Sequence, residues 1–137
     1  MIGRITGAYS LRLLGKGVEC LRFRHRAIED NLANLTTPGY KRKVVNFEKA
    51  IEKAIRSEKR DVRWRRSVTE REISPLGKVS PRVVEDKESV FRADGGTVDI
   101  DQESVALSTN TGRFLAVVEI MNREYRAIKS AIRETIR

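Results

Sequence analysis

The chain lacks most of what a catalytic or cross-linked protein is built from. It has one cysteine, Cys20, so an intrachain disulfide is excluded. It has one histidine, His25, which leaves a histidine-based metal site without a second ring. Cys20 and His25 lie five residues apart and do not share a helix face, so they do not form a thiol–base pair. Four Phe, three Tyr and one Trp in 137 residues give few large anchors for a core. An elongated shape, or a core completed by a partner, is therefore expected. No run approaches the ~18 apolar residues of a membrane-spanning helix. Near the start, Gly3, Arg4, Gly7, Ser10 and Arg12 interrupt what apolar character there is, so a cleaved leader is not expected. There is no CxxC pair, HExxH, P-loop or GxSxG. The residues offer no nucleophile–base–orienter set, and neither an enzyme, a cofactor nor a metal is expected.

Charge, by contrast, is abundant. Charged residues make up 34% of the chain, against about 25% in an average domain. The 28 Lys and Arg outnumber the 19 Asp and Glu, giving a net charge of +9. Such a balance suits a nucleic acid, a membrane surface or an acidic protein neighbour. The basic residues are dispersed, however. Arg22, Arg24 and Arg26 lie in one helical pattern, Lys41, Arg42 and Lys43 follow a tyrosine, and Arg60, Arg63, Arg65 and Arg66 surround Trp64. One tryptophan is not a stacking platform. A small basic nucleic-acid-binding protein is thus the alternative reading, and no nucleic-acid partner is expected.

Hydrophobic periodicity organises the rest. Over residues 10–35 the stripe Leu14, Val18, Leu21, His25, Ile28, Leu32, Leu35 alternates four- and three-residue steps, the spacing of a heptad seam. The helix is expected to stop at Thr37-Pro38-Gly39, because the residue before proline is pushed out of helical geometry and glycine accepts positive φ. A short helix is expected over 46–57, with Asn46 as cap and Phe47, Ile51 and Ile55 on one face. Pro75 and Pro81 exclude a long helix in the middle segment, where Val62, Trp64 and residues 68–73 suit short strands. Asp94-Gly95-Gly96 marks a sharp turn. The last helix is expected over 99–136, capped by Asp99, with Asp101 and Glu103 placed favourably for the helix dipole. Its stripe is Leu107, Thr111, Phe114, Val118, Met121, Tyr125, Ile128, Ile132 and Thr135, with Val117, Ile120 and Ala127 flanking it and free to face a neighbouring subunit. The expected fold is mainly α. Two long terminal helices pair as a coiled-coil-like core around an irregular or small β-containing middle (36–96), all in one domain spanning 1–137. Two sticky helices around a polar middle suggest a part that assembles with copies of itself or its relatives.

The segment Asn31-Leu32-Ala33-Asn34-Leu35-Thr36-Thr37-Pro38-Gly39-Tyr40 carries a further signal. Asn31, Ala33, Asn34, Thr37, Pro38, Gly39 and Tyr40 match N-x-A-N-x-x-T-P-G-Y, and the segment resembles the N-terminal signature of the bacterial flagellar axial proteins, the rod and hook family. Leu35 and Thr36 replace the small or acidic residues usual there. Lys41 to Glu48 and Asp94 to Asp99 are similar to segments of the family's proximal-rod members. The resemblance covers about two-thirds of the chain and implies a structural subunit of the proximal rod of the flagellar basal body, transmitting torque from motor to hook. It implies terminal helices paired as a coiled-coil core inside a helical tube, with the signature turn packed between subunits; the seam residues that the heptad spacing supplies for that pairing are Leu14, Val18, Leu21, Ile28, Leu32, Phe114, Val118, Met121, Tyr125, Ile128 and Ile132. It also implies a periplasmic location reached through the flagellar type III export gate without a cleaved signal. The implied partners are other copies of the chain, other rod proteins, the hook–basal-body complex protein at the rod base, and the inner-membrane (MS) ring.

Overall fold

The computed structural model describes residues 2–61, 75–86 and 95–135, with side chains over 9–57, 75–86 and 95–134. In chain order the elements are α1 (Ile2–Ala33), β1 (Lys43–Asn46), α2 (Glu48–Asp61), a single 3-10 turn (Pro75–Lys78), β2 (Arg82–Glu85) and α3 (Ile100–Thr135). The fold is mainly helical, with two long terminal helices, as the periodicity predicts, and a small sheet between them. The strands expected at Val62, Trp64 and 68–73, and the arginines Arg63, Arg65 and Arg66, lie outside the described residues.

Helix α1 begins earlier than expected and runs through Gly3 and Gly7. Glycine weakens a helix interior by about 1 kcal/mol without ending it. At its other end α1 tightens and stops. The Asn34 side chain donates to the Asp30 carbonyl at 2.8 Å, and the Leu35 amide bonds three residues back, to Leu32, at 3.3 Å. The chain then reverses through Thr37–Tyr40, closed by the Tyr40 amide on the Thr37 carbonyl at 3.3 Å, with Gly39 at φ +70°. Proline followed by a positive-φ glycine is the arrangement of a type II turn.

The two strands pair antiparallel, Lys43 opposite Glu85 and Asn46 opposite Arg82. Four-residue strands separated by an excursion of more than thirty residues leave no hairpin signal, and Asn46, expected as a helix cap, is the last residue of β1. Phe47 takes the cap position instead. Its carbonyl accepts the Ile51 amide at 3.0 Å, and the Glu48 carboxylate reaches back to its amide at 3.2 Å. Asp99 caps α3 as expected, its Oδ1 accepting from the amides of Asp101 at 2.9 Å and Gln102 at 3.4 Å.

Helices α1 and α3 run antiparallel. Asn31 bonds Glu103, the Leu21 carbonyl accepts from Asn110, and Gly17 faces Val117. One set descends in number as the other rises. The core sits on the second side of α1. Cys20, Leu21 and Ala27 of α1 pack with Val45, Phe47, Ala54, Leu76 and Val79, and Phe114 and Val117 of α3 close over them. Helix α1 is therefore packed on two sides, by α3 and by β1 with the 3-10 turn, on which α2 rests in turn. That is why Cys20, Ala27 and Asn31, outside the single predicted stripe, are buried beside Leu21 and Ile28. Among the described residues, no helix is long and apolar enough to cross a membrane.

Candidate functional site at the signature turn

The signature residues converge with others on one side chain. Asn31 is fully buried. Its Oδ1 accepts from the Lys43 amide at 2.8 Å and from the Tyr40 hydroxyl at 3.3 Å, while its Nδ2 donates to the Lys43 carbonyl at 2.9 Å and to Glu103 Oε2 at 3.2 Å. A carboxamide has two acceptor sites and two donor hydrogens, and here all four are used. No other side chain of this size offers both. Asn31 thus joins α1 to the start of β1, to the signature tyrosine and to α3.

A second line of bonds runs alongside. The Arg42 amide donates to Thr97 Oγ1 at 2.7 Å, the Thr97 amide donates to the Tyr40 carbonyl at 3.2 Å, and Lys41 Nζ donates to the Gly95 carbonyl at 3.0 Å. Gly95 sits at φ +80°, a conformation that glycine adopts without steric cost. Arg42 Nε donates to Glu103 Oε1, whose side chain is 0% exposed. Lys43 Nζ pairs with Asp30 at 3.0 Å and lies over the Tyr40 ring. Burial raises the Tyr40 phenol above its ordinary value, against the opposing charge of Lys43. The hydroxyl therefore stays protonated and able to donate to Asn31.

Two turns earlier on the same face of α1, Arg24 clamps the β1–α2 junction. Its guanidinium donates to the Val45 carbonyl at 2.9 and 3.1 Å and to Glu48 at 2.6 Å, and it lies 4.3 Å from the Phe47 ring centroid. Burial pushes the Glu48 carboxyl upward. The Arg24 hydrogen bond, the Glu48 and Phe47 amides and the Arg24 charge outweigh it and hold the group below its usual value.

The motif residues have distinct placements. Asn31 is buried, Asn34 and Tyr40 are half-buried, and Ala33, Thr37, Pro38 and Gly39 are exposed. Thr37 Oγ1 donates to Asn34 Oδ1 at 3.2 Å, which folds the turn on itself and leaves its outer surface open. Of the stripe residues, Leu21 and Ile28 are buried, and Leu14, Val18, Leu32, Phe114, Val118 and Met121 are half-buried. Tyr125, Ile128 and Ile132 are 57%, 37% and 55% exposed, so their apolar faces are largely open in the single chain. Val117, read from the sequence as turned away, packs into the intrachain core. Ile120 is exposed. The inward line on α3 is instead Glu103, Ala106, Asn110, Phe114, Val117 and Met121. Arg42, Thr97 and Glu103 are the members of the site that sequence reasoning missed. From the sequence alone Glu103 reads as a helix-dipole residue. The available signal was its position three and seven residues before Ala106 and Asn110, on the inward line.

The hydrogen bonds of Asn31, Tyr40, Arg42, Thr97 and Glu103 described above run to other groups of the same chain, so the arrangement fixes shape. Two long antiparallel helices stitched at one end by a motif turn, with apolar side chains open at the other, define a structural helical subunit. No protein-family model matches the chain. It is, however, similar to several curated flagellar proteins. The flagellar basal body rod protein FlgB of Borreliella burgdorferi is 30% identical over 122 residues, covering 85% of this chain and 90% of the relative. FlgB of Bacillus subtilis is 28% identical over 115 residues, covering 80% and 81%. FlgB of Borrelia hermsii is 27% identical over 129 residues, covering 90% and 96%. The chain belongs to the FlgB family of flagellar basal body rod proteins.

Proposed function

We propose that the chain is a structural subunit of the proximal rod, which assembles by packing its terminal helices against those of neighbouring copies and of other rod proteins, and so carries torque from motor to hook. The observation that carries this reading is the division of α3. Its first half is stitched to α1 and the signature turn, while Tyr125, Ile128 and Ile132 in its last third stay open, flanked by Arg126, Lys129 and Arg133. An apolar row left exposed in the single chain is the surface an assembling subunit needs. The exposed outer surface of Thr37–Gly39 is the second contact, held in shape by the bonds beneath it. In this reading Asn31, Asn34 and Tyr40 build the turn, Ala33, Thr37, Pro38 and Gly39 present it, and the stripe residues from Leu14 to Ile132 pack within and between subunits. The subunit reaches the periplasmic side through the type III export gate and sits on the inner-membrane ring and the rod-base protein. The test is deletion of the gene followed by electron microscopy of envelope preparations. Loss of rods and hooks, with inner-membrane rings retained and motility restored by the intact gene, is expected. Normal flagella in the deletion strain would overturn the reading.

A further inference from the structure

Glu103 is the one fully buried carboxylate among the described residues, and no part of the N-terminal signature contains it. Its two oxygens are divided between two donors that come from far away in the chain. Oε1 accepts from Arg42, 61 residues earlier, and Oε2 accepts from Asn31, 72 residues earlier. A carboxylate removed from water is costly unless its lone pairs meet charged or polar donors. Both donors belong to the same strip of chain. Arg42 follows the signature turn directly, and Asn31 is bonded to both ends of the segment Tyr40–Lys43.

We propose that Glu103 is a positioning residue that makes the Asn31–Lys43 turn conditional on the seating of α3. Two half-formed states are penalised together. If α3 docks while the turn is open, Glu103 enters the interior without Arg42. If the turn closes while α3 is away, Arg42 Nε and one hydrogen of Asn31 Nδ2 lose their acceptor, and the Arg42 amide loses Thr97, which enters with the start of α3. The two events are thereby coupled into one. A chain whose C-terminal helix is not seated does not present the turn in its final shape. The consequence for assembly rests on the rod-subunit reading above, because only there does the outer surface of the turn meet a neighbour. The conformational claim stands independently of it.

The test is amide hydrogen exchange on the full-length chain and on Glu103→Gln. Glutamine keeps the volume and one acceptor oxygen but turns an NH2 toward Arg42 or Asn31, both of which are donors. The reporters are the amides of Arg42 and Lys43, which bond Thr97 Oγ1 and Asn31 Oδ1. Hydrogen bonds to a charged group are of a strength that converts to about a tenfold to hundredfold acceleration of exchange on loss. That acceleration is expected at these two amides, while amides at Val118 in α3 and Leu21 in α1 keep their protection. Unchanged exchange at Arg42 and Lys43 would overturn the proposal, and so would uniform acceleration along both helices. Should Glu103→Gln fail to fold, Arg42→Lys provides the same comparison, since Arg42 lies at the solvent edge of the pair and lysine keeps the charge without the Nε geometry. Unchanged reporters there would equally overturn it. Because exchange is read on the isolated chain, a normal flagellum in the deletion strain would remove the assembly role and leave this result standing.

Discussion

At the scale of single residues, Asn31 is a signature position whose side chain has no hydrogen-bonding capacity to spare. Its carboxamide uses both hydrogens and both lone pairs inside the protein, one of them against the buried Glu103. Replacing it by alanine leaves the Lys43 backbone and Glu103 short of partners, at about 1–3 kcal/mol for each stranded group. Asn31→Asp is expected to be worse near neutral pH. It keeps the acceptor but faces Glu103 and the Lys43 carbonyl with a carboxylate in place of a donor, and an uncompensated charge in the interior costs about 3–5 kcal/mol. Urea unfolding of the three proteins should therefore rank wild type, Asn31→Ala, Asn31→Asp in falling midpoint. Equal midpoints would mean that the network contributes nothing. The Arg24–Glu48 pair makes a different prediction. Folding lowers the Glu48 carboxyl below its ordinary 4.5. The unfolded state therefore binds the proton first, and the pair's stabilisation is complete above that value and is lost as pH falls through the lower folded one. Thermal midpoints should fall less steeply below pH 4.5 in Glu48→Gln than in wild type. Parallel pH profiles would dissociate Glu48 from acid unfolding.

At the scale of elements, the sequence conveys what depends on period and punctuation. The two heptad stripes give both long helices, Asp99 gives the start of α3, and Pro38-Gly39 gives the turn. Single-face periodicity did not convey that α1 is packed on two sides, because Cys20, Ala27 and Asn31 are small or polar and do not register as a stripe. Nor did it convey β1 and β2, since Lys43–Asn46 is too short for alternation to stand out and its partner is distant in sequence. Half of the site was readable as a motif, whereas Arg42, Thr97 and Glu103 are defined by where α3 returns in space. The turn and the helix make opposite predictions for the same substitution. At Gly39 an added Cβ meets nothing within 4 Å, but φ is +70°. Gly39→Ala should therefore cost about 1–2 kcal/mol from backbone strain alone. At Gly112, inside α3 with open space around it, Gly112→Ala should stabilise by up to about 1 kcal/mol. Calorimetry of the two variants should show melting temperatures displaced in opposite directions. A shared direction would contradict one of the two conformations.

At the scale of the whole molecule, the first half of α3 is stitched to α1 while Tyr125, Ile128 and Ile132 stay open, and this separates two substitutions that a stripe drawn from sequence treats alike. Leu21 is 5% exposed and lies in the core beside Cys20 and Val45. An aspartate there places an unpaired charge in the interior, which costs several kcal/mol, so Leu21→Asp is expected to unfold the chain before assembly is in question. Ile128 is 37% exposed, beside Arg126, Lys129 and Arg133 on the open part of α3. An aspartate there remains partly hydrated and has cations nearby, so the isolated Ile128→Asp chain should melt within a few degrees of wild type. If the open row is the surface that meets a neighbouring subunit, the same substitution buries a charge only when the rod forms. The expected result is a folded protein, present at normal levels in the cell, that fails to restore motility to the deletion strain. Leu21→Asp should fail in both assays. Full motility with Ile128→Asp would show that the open end of α3 is not a contact, and the burden of assembly would then fall on the signature turn.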